Sequence, residues 1–435
     1  MEACSYGNFN NFRMNVNKIR EDFPVLKRKI KDKEIIYFDN ACTTLKPYKV
    51  IEAITYYYEN LSVCGGSRSS HDLSIETNEL CIDAREKAKA FINAENSKEI
   101  IWTKNTTEGI NLIANSLKFK KDENVVCSNL DHHSGILPFC KLYMRNKIKE
   151  LRIVEANNDG TFNLEYWKEA IDSKTRIVSV IGISNVTGTL SPIKEIAEIA
   201  HDNNALILVD GAQLVPHKKV DVQKLDVDFL AFSMHKLCGP TGIGVLYGKQ
   251  DLLEEMDTFI VGGDTILDVE YFNKKIKPIF LSSPQKFEAG VQNYSGIIGS
   301  GAAFDYIQKI GMDNINNYEK KLTENFLKFL DNIDDIELVG PLYYRKRECC
   351  LISFSLKNKN ISPKDLADFM NNEIYSYKIM LRAGGHCAHP FHYFIGINLA
   401  KGEGTVRASL YFYNTIREIE IFIEALKKFL DIVSK

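Results

Sequence analysis

No stretch of this 435-residue chain is long and apolar enough to span a bilayer. The first seventeen residues are polar and rich in Asn and Phe, without the apolar core of a secretory signal. Both absences point to a cytoplasmic enzyme and away from a membrane protein. An excess of one charge is also missing. The 55 basic residues nearly balance the 57 acidic ones, for a net charge of −2, so there is no electrostatic case for binding nucleic acid or an anionic membrane. The ten cysteines include no CxxC pair, which argues against a zinc ribbon or an iron–sulfur ligand set. In a reducing compartment such cysteines act as small hydrophobes or reactive thiols. Cys81, on a helical pattern, and Cys127, in an apolar strand, read as core. Internal repeats and low-complexity linkers are lacking as well.

The length exceeds what one hydrophobic core sustains, so two domains are expected. Texture divides the chain into an N-terminal segment 1–32 packing on the small domain, a large domain 33–310 and a small domain 311–435. In the large domain, apolar strand runs alternate with helical patterns. Ile100-Ile101-Trp102 leads into a helix through Leu117. Ile177–Ile181 is a buried strand, and the Ser191-Pro192 pair opens a helix through Ala200 with proline at its first position. This alternation predicts an α/β fold with a mostly parallel central sheet and helices on both faces. From about Gly311 the chain reads as a smaller α+β unit, with Leu351–Leu356 as a half-buried strand. Thr415 and Glu418 have capping-box spacing and start a final helix whose apolar positions include Ile419, Phe422, Leu426, Phe429 and Val433.

The most informative segment is the apolar run Phe229–Ser233, followed by Met234-His235-Lys236 and the glycine-rich Gly239-Pro240-Thr241-Gly242-Ile243-Gly244. A lysine at the mouth of a strand can be held partly desolvated, which frees its amine to form a Schiff base. A surface lysine after a buried strand has the same local pattern. Upstream, Leu206–Val209 ends in Asp210-Gly211-Ala212-Gln213. A carboxylate there sits at the crevice where open α/β sheets bind ligands. Asp210 is thus a candidate partner for the ring nitrogen of pyridoxal phosphate (PLP), or else an ordinary turn aspartate.

Taken together, Asp210–Gln213, Ser233–Lys236 and Gly239–Gly244 resemble the class V PLP-dependent aminotransferase superfamily. The nearest branch is that of the SufS-type cysteine desulfurases and selenocysteine lyases, and the resemblance runs from about Ile36 to the C-terminus. It implies PLP fold type I, with Lys236 as the cofactor lysine and Asp210 on the ring nitrogen. Thr106, Thr107, Ser233 and His235 would bind the phosphate, at a strand-to-helix turn where exposed N–H groups favour anions. His132 would stack on the ring and relay protons. Asn185, with Gln213, would hydrogen-bond the phenolic oxygen.

Leu381-Arg382-Ala383-Gly384-Gly385-His386-Cys387 resembles the family loop that carries a catalytic cysteine. The implied reaction converts L-cysteine to L-alanine, leaving a persulfide on Cys387 for iron–sulfur cluster or other sulfur-containing cofactor assembly. A sulfur-acceptor or Fe–S scaffold protein would be the partner. A nearby histidine and arginine favour the attacking thiolate. Arg407 matches the arginine that grips the substrate carboxylate, with Arg382 and Arg68 as further substrate-binding candidates. The family is generally homodimeric, and Gly290–Asn293 fits the loop that completes the neighbour's site.

Departures from the family pattern fall on the substrate side. Gly385 replaces a usual histidine, Val291 a threonine, Cys42 a commoner alanine, and Cys64–His71 an altered stretch. They keep open a related class V enzyme acting on another amino acid: a selenocysteine lyase, a sulfinate lyase, or another β-lyase or aminotransferase. A metal module on His386, Cys387, His389 and His392 is a third reading, disfavoured because no second ligand pair stands out and Pro390 hinders the spacing. No metal is expected.

Overall fold

The computed structural model describes residues 14–66, 69–374 and 376–434. Its centre is a seven-stranded sheet made of β1 (Ile100–Thr103), β2 (Asn124–Ser128), β3 (Glu150–Val154), β4 (Thr175–Ile181), β5 (Leu206–Asp210), β6 (Phe229–Ser233) and β7 (Gly244–Gly248). The order across the sheet is β1-β7-β6-β5-β4-β2-β3. β7 runs antiparallel to both of its neighbours, and the remaining pairs are parallel. The short apolar runs are strands because both faces are covered. Val178, Ile207 and Leu230 pack into one core cluster, while their chain neighbours Ile177, Leu208 and Phe229 pack into the cluster on the opposite face. The fold is α/β with a mostly parallel central sheet, as the alternating pattern implies.

Two helices open at the carboxyl edge of this sheet: α1 (Thr106–Ser116), capped by Asn105, and α2 (His133–Met144), capped by His132. The helix expected to start on Pro192 begins one residue later, with Pro192 as its N-cap.

A second, antiparallel sheet contains β8 (Ile336–Val339), β9 (Leu351–Leu356), β10 (Arg382–Gly384) and β11 (Thr405–Ser409) in the order β8-β9-β11-β10. The half-buried expectation for Leu351–Leu356 is corrected. Every residue of β9 is buried, because it lies inside the sheet between β8 and β11. Packing against this unit are α3 (Met312–Leu330) and α4 (Ile416–Val433). Thr415 and Glu418 form the α4 capping box, and Ile419, Phe422, Leu426 and Phe429 are buried.

The strand Lys33–Tyr37 pairs in parallel with Tyr377–Met380, and Ile36 and Phe38 join the apolar cluster of the second unit. Nearby, Arg20 pairs with Glu418 at 2.9 Å and donates to the Tyr413 carbonyl at 2.6 Å.

Candidate active site

Because β1, β2, β4, β5 and β6 point the same way, their loops deliver side chains to one edge of the sheet. A cavity of about 270 Å³ lies there. Thr106, Thr107, His132, Asn185, Asp210 and Gln213 line it from the large unit, along with Ser233, His235 and Lys236. From the other side come Arg382, Cys387 and Arg407. Arg68 lies outside the described residues.

Asp210 ends β5 fully inside the protein, where its Oδ1 accepts the Ala212 N–H at 3.0 Å. Burial pushes its carboxyl up, and the backbone donor and the Lys236 charge pull it down. Burial lowers Lys236, opposed mainly by Asp210 and reinforced by Arg407. The two form an acid–amine couple in a desolvated place.

The peptide before Lys236 is fixed by groups that sequence reasoning did not single out. The His235 carbonyl accepts from Thr44 N at 3.0 Å, Thr43 Oγ1 at 3.0 Å, Thr44 Oγ1 at 3.1 Å and Lys46 Nζ at 2.9 Å. Burial brings the Lys46 amine down to about 8. Roughly 190 residues separate these partners, so local pattern carries no signal of the contact.

At the α1 turn, Ser233 Oγ accepts the Thr106 N–H at 2.8 Å and meets Thr106 Oγ1 at 2.7 Å. Thr107 Oγ1 meets Ser134 Oγ at 2.8 Å. Gly244 lets β7 enter beside this turn, since a Cβ there would stand 2.8 Å from Asn105 Cα and from the Phe232 carbonyl oxygen. His132 Nδ1 accepts the Ser134 N–H at 3.1 Å, which puts the proton of the neutral ring on Nε2. Burial, followed by the Lys236 charge, pushes this imidazole down to about 3, so it stays neutral at physiological pH. Asp131 anchors the turn by accepting the Ser128 N–H at 2.7 Å and the Ile181 N–H at 2.6 Å.

Arg407 occupies the middle of β11 and is 3% exposed. Its Nη1 donates to the Asn185 carbonyl at 3.1 Å and its Nη2 reaches Asp39 at 3.4 Å, while Nε has no partner among the described residues. Arg382 forks onto Asp39, with Nη2–Oδ2 at 2.8 Å, and also donates to Cys42 Sγ at 2.8 Å. Asn185 Nδ2 donates to the His386 carbonyl at 2.7 Å, leaving Oδ1 buried and without a partner among the described residues.

Cys387 is exposed on a loop where both it and His386 have positive φ, 56° and 47°. Its carbonyl accepts the His133 N–H at 2.8 Å. His386 Nε2 faces the Thr405 carbonyl, and burial, then Arg407, holds the ring well below its usual value. The neighbouring histidine is thus neutral, and the cation whose charge acts on the thiol is Lys236. Gly385 permits this packing, since a Cβ there would lie 2.7 Å from His389 Cδ2 and from Leu399 Cδ1. Among the described residues, no three His, Cys, Asp or Glu side chains gather in a metal-binding group.

The model of the aminotransferase class-V family matches residues 36–422. The chain belongs to that family. Within it, the chain is 38% identical over 416 residues to a cysteine desulfurase of Escherichia coli, covering 95% of this chain and 98% of the relative. It is 37% identical over 412 residues to a probable cysteine desulfurase of Synechocystis, covering 94% of each. Among solved structures, the cysteine desulfurase of Thermococcus onnurineus superposes with a TM-score of 0.87 at 34% identity, covering 97% of this chain and all of that one. The Escherichia coli cysteine desulfurase CsdA gives 0.84 at 30% identity, covering 97% and 99%.

Proposed function

We infer that this class V family member is a PLP-dependent cysteine desulfurase. The observation that carries the reading is the convergence on one cavity of the Lys236–Asp210 couple, a buried Arg407 whose Nε has no partner among the described residues, and the exposed Cys387. The cavity suits the cofactor. Asp210 offers a buried acid for a ring nitrogen, the Thr106–Ser233 turn offers hydroxyls for a phosphate, and the unpartnered Asn185 Oδ1 marks a place prepared for a polar guest. Bound there, PLP supplies an aldehyde for Lys236 and a ring that takes up the electrons released at the substrate Cα and the C–S bond.

The residues then divide the work. Asp210 would keep the ring nitrogen protonated. Thr106, Thr107, Ser233 and His235 would hold the phosphate, and Asn185 and Gln213 the phenolic oxygen. Arg407 takes the substrate carboxylate through Nε and a free Nη proton, and Arg382, on the same Asp39, borders that place. Lys236 Nζ moves the Cα proton, while His132, a neutral imidazole with a proton on Nε2, would border the ring. Cys387 Sγ attacks the sulfur of cysteine; the S–S bond forms as the C–S bond breaks. Cysteine and a thiol become alanine and a Cys387 persulfide. Incubating the purified protein with L-cysteine and a thiol reductant tests this reading. Equimolar alanine and sulfide are expected, and an intact cofactor without either product would sink it.

The persulfide sulfur is then passed to an acceptor or Fe–S scaffold protein for iron–sulfur or other sulfur-containing cofactor assembly in the cytoplasm. No helix among the described residues is long and apolar enough to cross a membrane. The working unit is a homodimer. Support comes from the hairpin Ile266–Phe272/Lys275–Phe280, which exposes Leu267, Tyr271, Phe272 and Ile276, and from the nearby exposed Val291. An active monomer in light scattering would contradict the dimer.

Gly385 and the Cys42 thiol lining the cavity favour one second reading, a lyase for selenocysteine or a sulfinate. Full activity on such a substrate after Cys387→Ala, with none on cysteine in the parent, would select it.

A further inference from the structure

We propose that His217 and Glu319 form a buried relay that locks the Gln213 amide with its nitrogen toward the cofactor cavity. This makes both residues positioning groups for the ring oxygen of the cofactor. The inference rests on the reading of the site given above.

Gln213 is 2% exposed and lines the cavity. Its Nε2 donates at 2.7 Å to the carbonyl of Ala41, which also lines the cavity, and its Oε1 lies 3.3 Å from His217 Nε2. On the far side of the imidazole, Nδ1 faces both carboxyl oxygens of Glu319, at 2.9 and 3.0 Å. Glu319 comes from α3 in the second unit and is wholly buried. The nearby Lys218 and Lys320 turn to Glu348 instead. The Tyr411 ring closes the pocket edge-on, its centroid 5.2 Å from that of His217.

Proton counting decides the orientation. If Glu319 is ionised and His217 is a cation, both ring nitrogens carry protons. If both are neutral, the carboxyl proton serves Nδ1 and the ring proton sits on Nε2. An ionised Glu319 with a neutral ring protonated on Nδ1 would leave a net charge in a dry interior, which is strongly disfavoured. A neutral Glu319 beside that same ring tautomer would crowd the carboxyl O–H and the Nδ1–H, since both carboxyl oxygens face Nδ1, and would set a bare Nε2 against the Gln213 oxygen that the Ala41 bond orients. Both permitted states put an N–H on Nε2, and that N–H requires an oxygen opposite it. The Gln213 oxygen is therefore tied to His217. Its nitrogen keeps one proton for Ala41 and one for the cavity. A flipped amide would set oxygen against the Ala41 carbonyl and nitrogen against an N–H, losing both bonds.

The test uses holoenzyme and the pH titration of its yellow absorption band. An N–H on the ring oxygen draws electron density from the conjugated system, so its loss should let the protonated yellow form persist to higher pH. Glu319→Leu and His217→Phe should each raise the titration midpoint by about one unit, the worth of one hydrogen bond. Glu319→Gln still gives Nδ1 a donor and should titrate like the parent, a rescue that loosened packing would not produce. His217→Phe keeps a ring against Tyr411, so the comparison survives if Glu319→Leu does not fold. A yellow parent whose folded variants all titrate alike overturns the relay alone. A Glu319→Gln midpoint displaced as far as that of Glu319→Leu does the same. A colourless parent overturns the reading of the site, and the relay with it.

Discussion

Replacing Arg407 by lysine isolates the contribution of one planar fork. The guanidinium already spends one Nη proton on the Asn185 carbonyl and turns another toward Asp39. That leaves the Nε–H, without a partner among the described residues, and one hydrogen on each Nη, enough for a two-point grip on a carboxylate. Lysine keeps the charge but cannot present two parallel donors, so about one charge-assisted hydrogen bond is lost, roughly 1.5–3 kcal/mol. In kcat/KM for L-cysteine that is a fall of about 10- to 150-fold, carried mainly by KM. The assay is steady-state alanine release, paired with a spectral titration by cysteamine, which is cysteine without its carboxylate. Cysteamine affinity should be the same in parent and variant. If the variant loses the same factor for cysteamine, or loses nothing for cysteine, the assignment of the carboxylate to Arg407 is wrong.

Cys387→Ser should abolish sulfide release from L-cysteine while leaving the yellow band in place. Since residue 387 is exposed, urea unfolding should stay within about 0.5 kcal/mol of the parent. Asp131→Ala strips the partners from two buried backbone N–H groups, of Ser128 and Ile181, and should cost about 2–6 kcal/mol in the same unfolding experiment. Lys46 titrates near 8 in the folded protein against 10.5 for an ordinary lysine, so between those values the unfolded chain holds the extra proton. Its contribution to stability therefore rises with pH across that window, and Lys46→Met should flatten this rise in unfolding curves taken at both ends. Gly385→Ala drives a Cβ into His389 and Leu399 and should change the alkylation rate of Cys387 by iodoacetamide, whereas an unchanged rate would mean that the loop absorbs the methyl group locally.

Much of the site was readable because the chemistry of a parallel sheet is local in sequence. Asp210 and Lys236 each follow an apolar run directly, so strand ends and loop residues declare themselves together. Residues that act across long separations left no such trace. Glu319 reads as one more acid on the charged face of a helix, yet it is fully buried against His217, about a hundred residues earlier. Asp39 meets Arg382 and Arg407 because the early strand pairs with Tyr377–Met380, a contact across more than three hundred residues that local texture cannot signal. Leu351–Leu356 looked half-buried because Ser353 and Ser355 alternate with apolar neighbours, but both hydroxyl residues are interior, and Ser353 Oγ donates to the Val186 carbonyl at 2.6 Å.

Four donors converging on the His235 carbonyl have a mechanical meaning. The backbone that carries the amine of residue 236 cannot tilt without breaking several contacts at once, so that amine travels by rotation about its own methylene bonds. Such rotations finish within nanoseconds, whereas rearranging a loop takes far longer. Turnover should therefore be paced from the opposite wall, where the thiol rides on a solvent-facing turn held by hydrogen bonds from the His133 N–H and from Asn185 Nδ2.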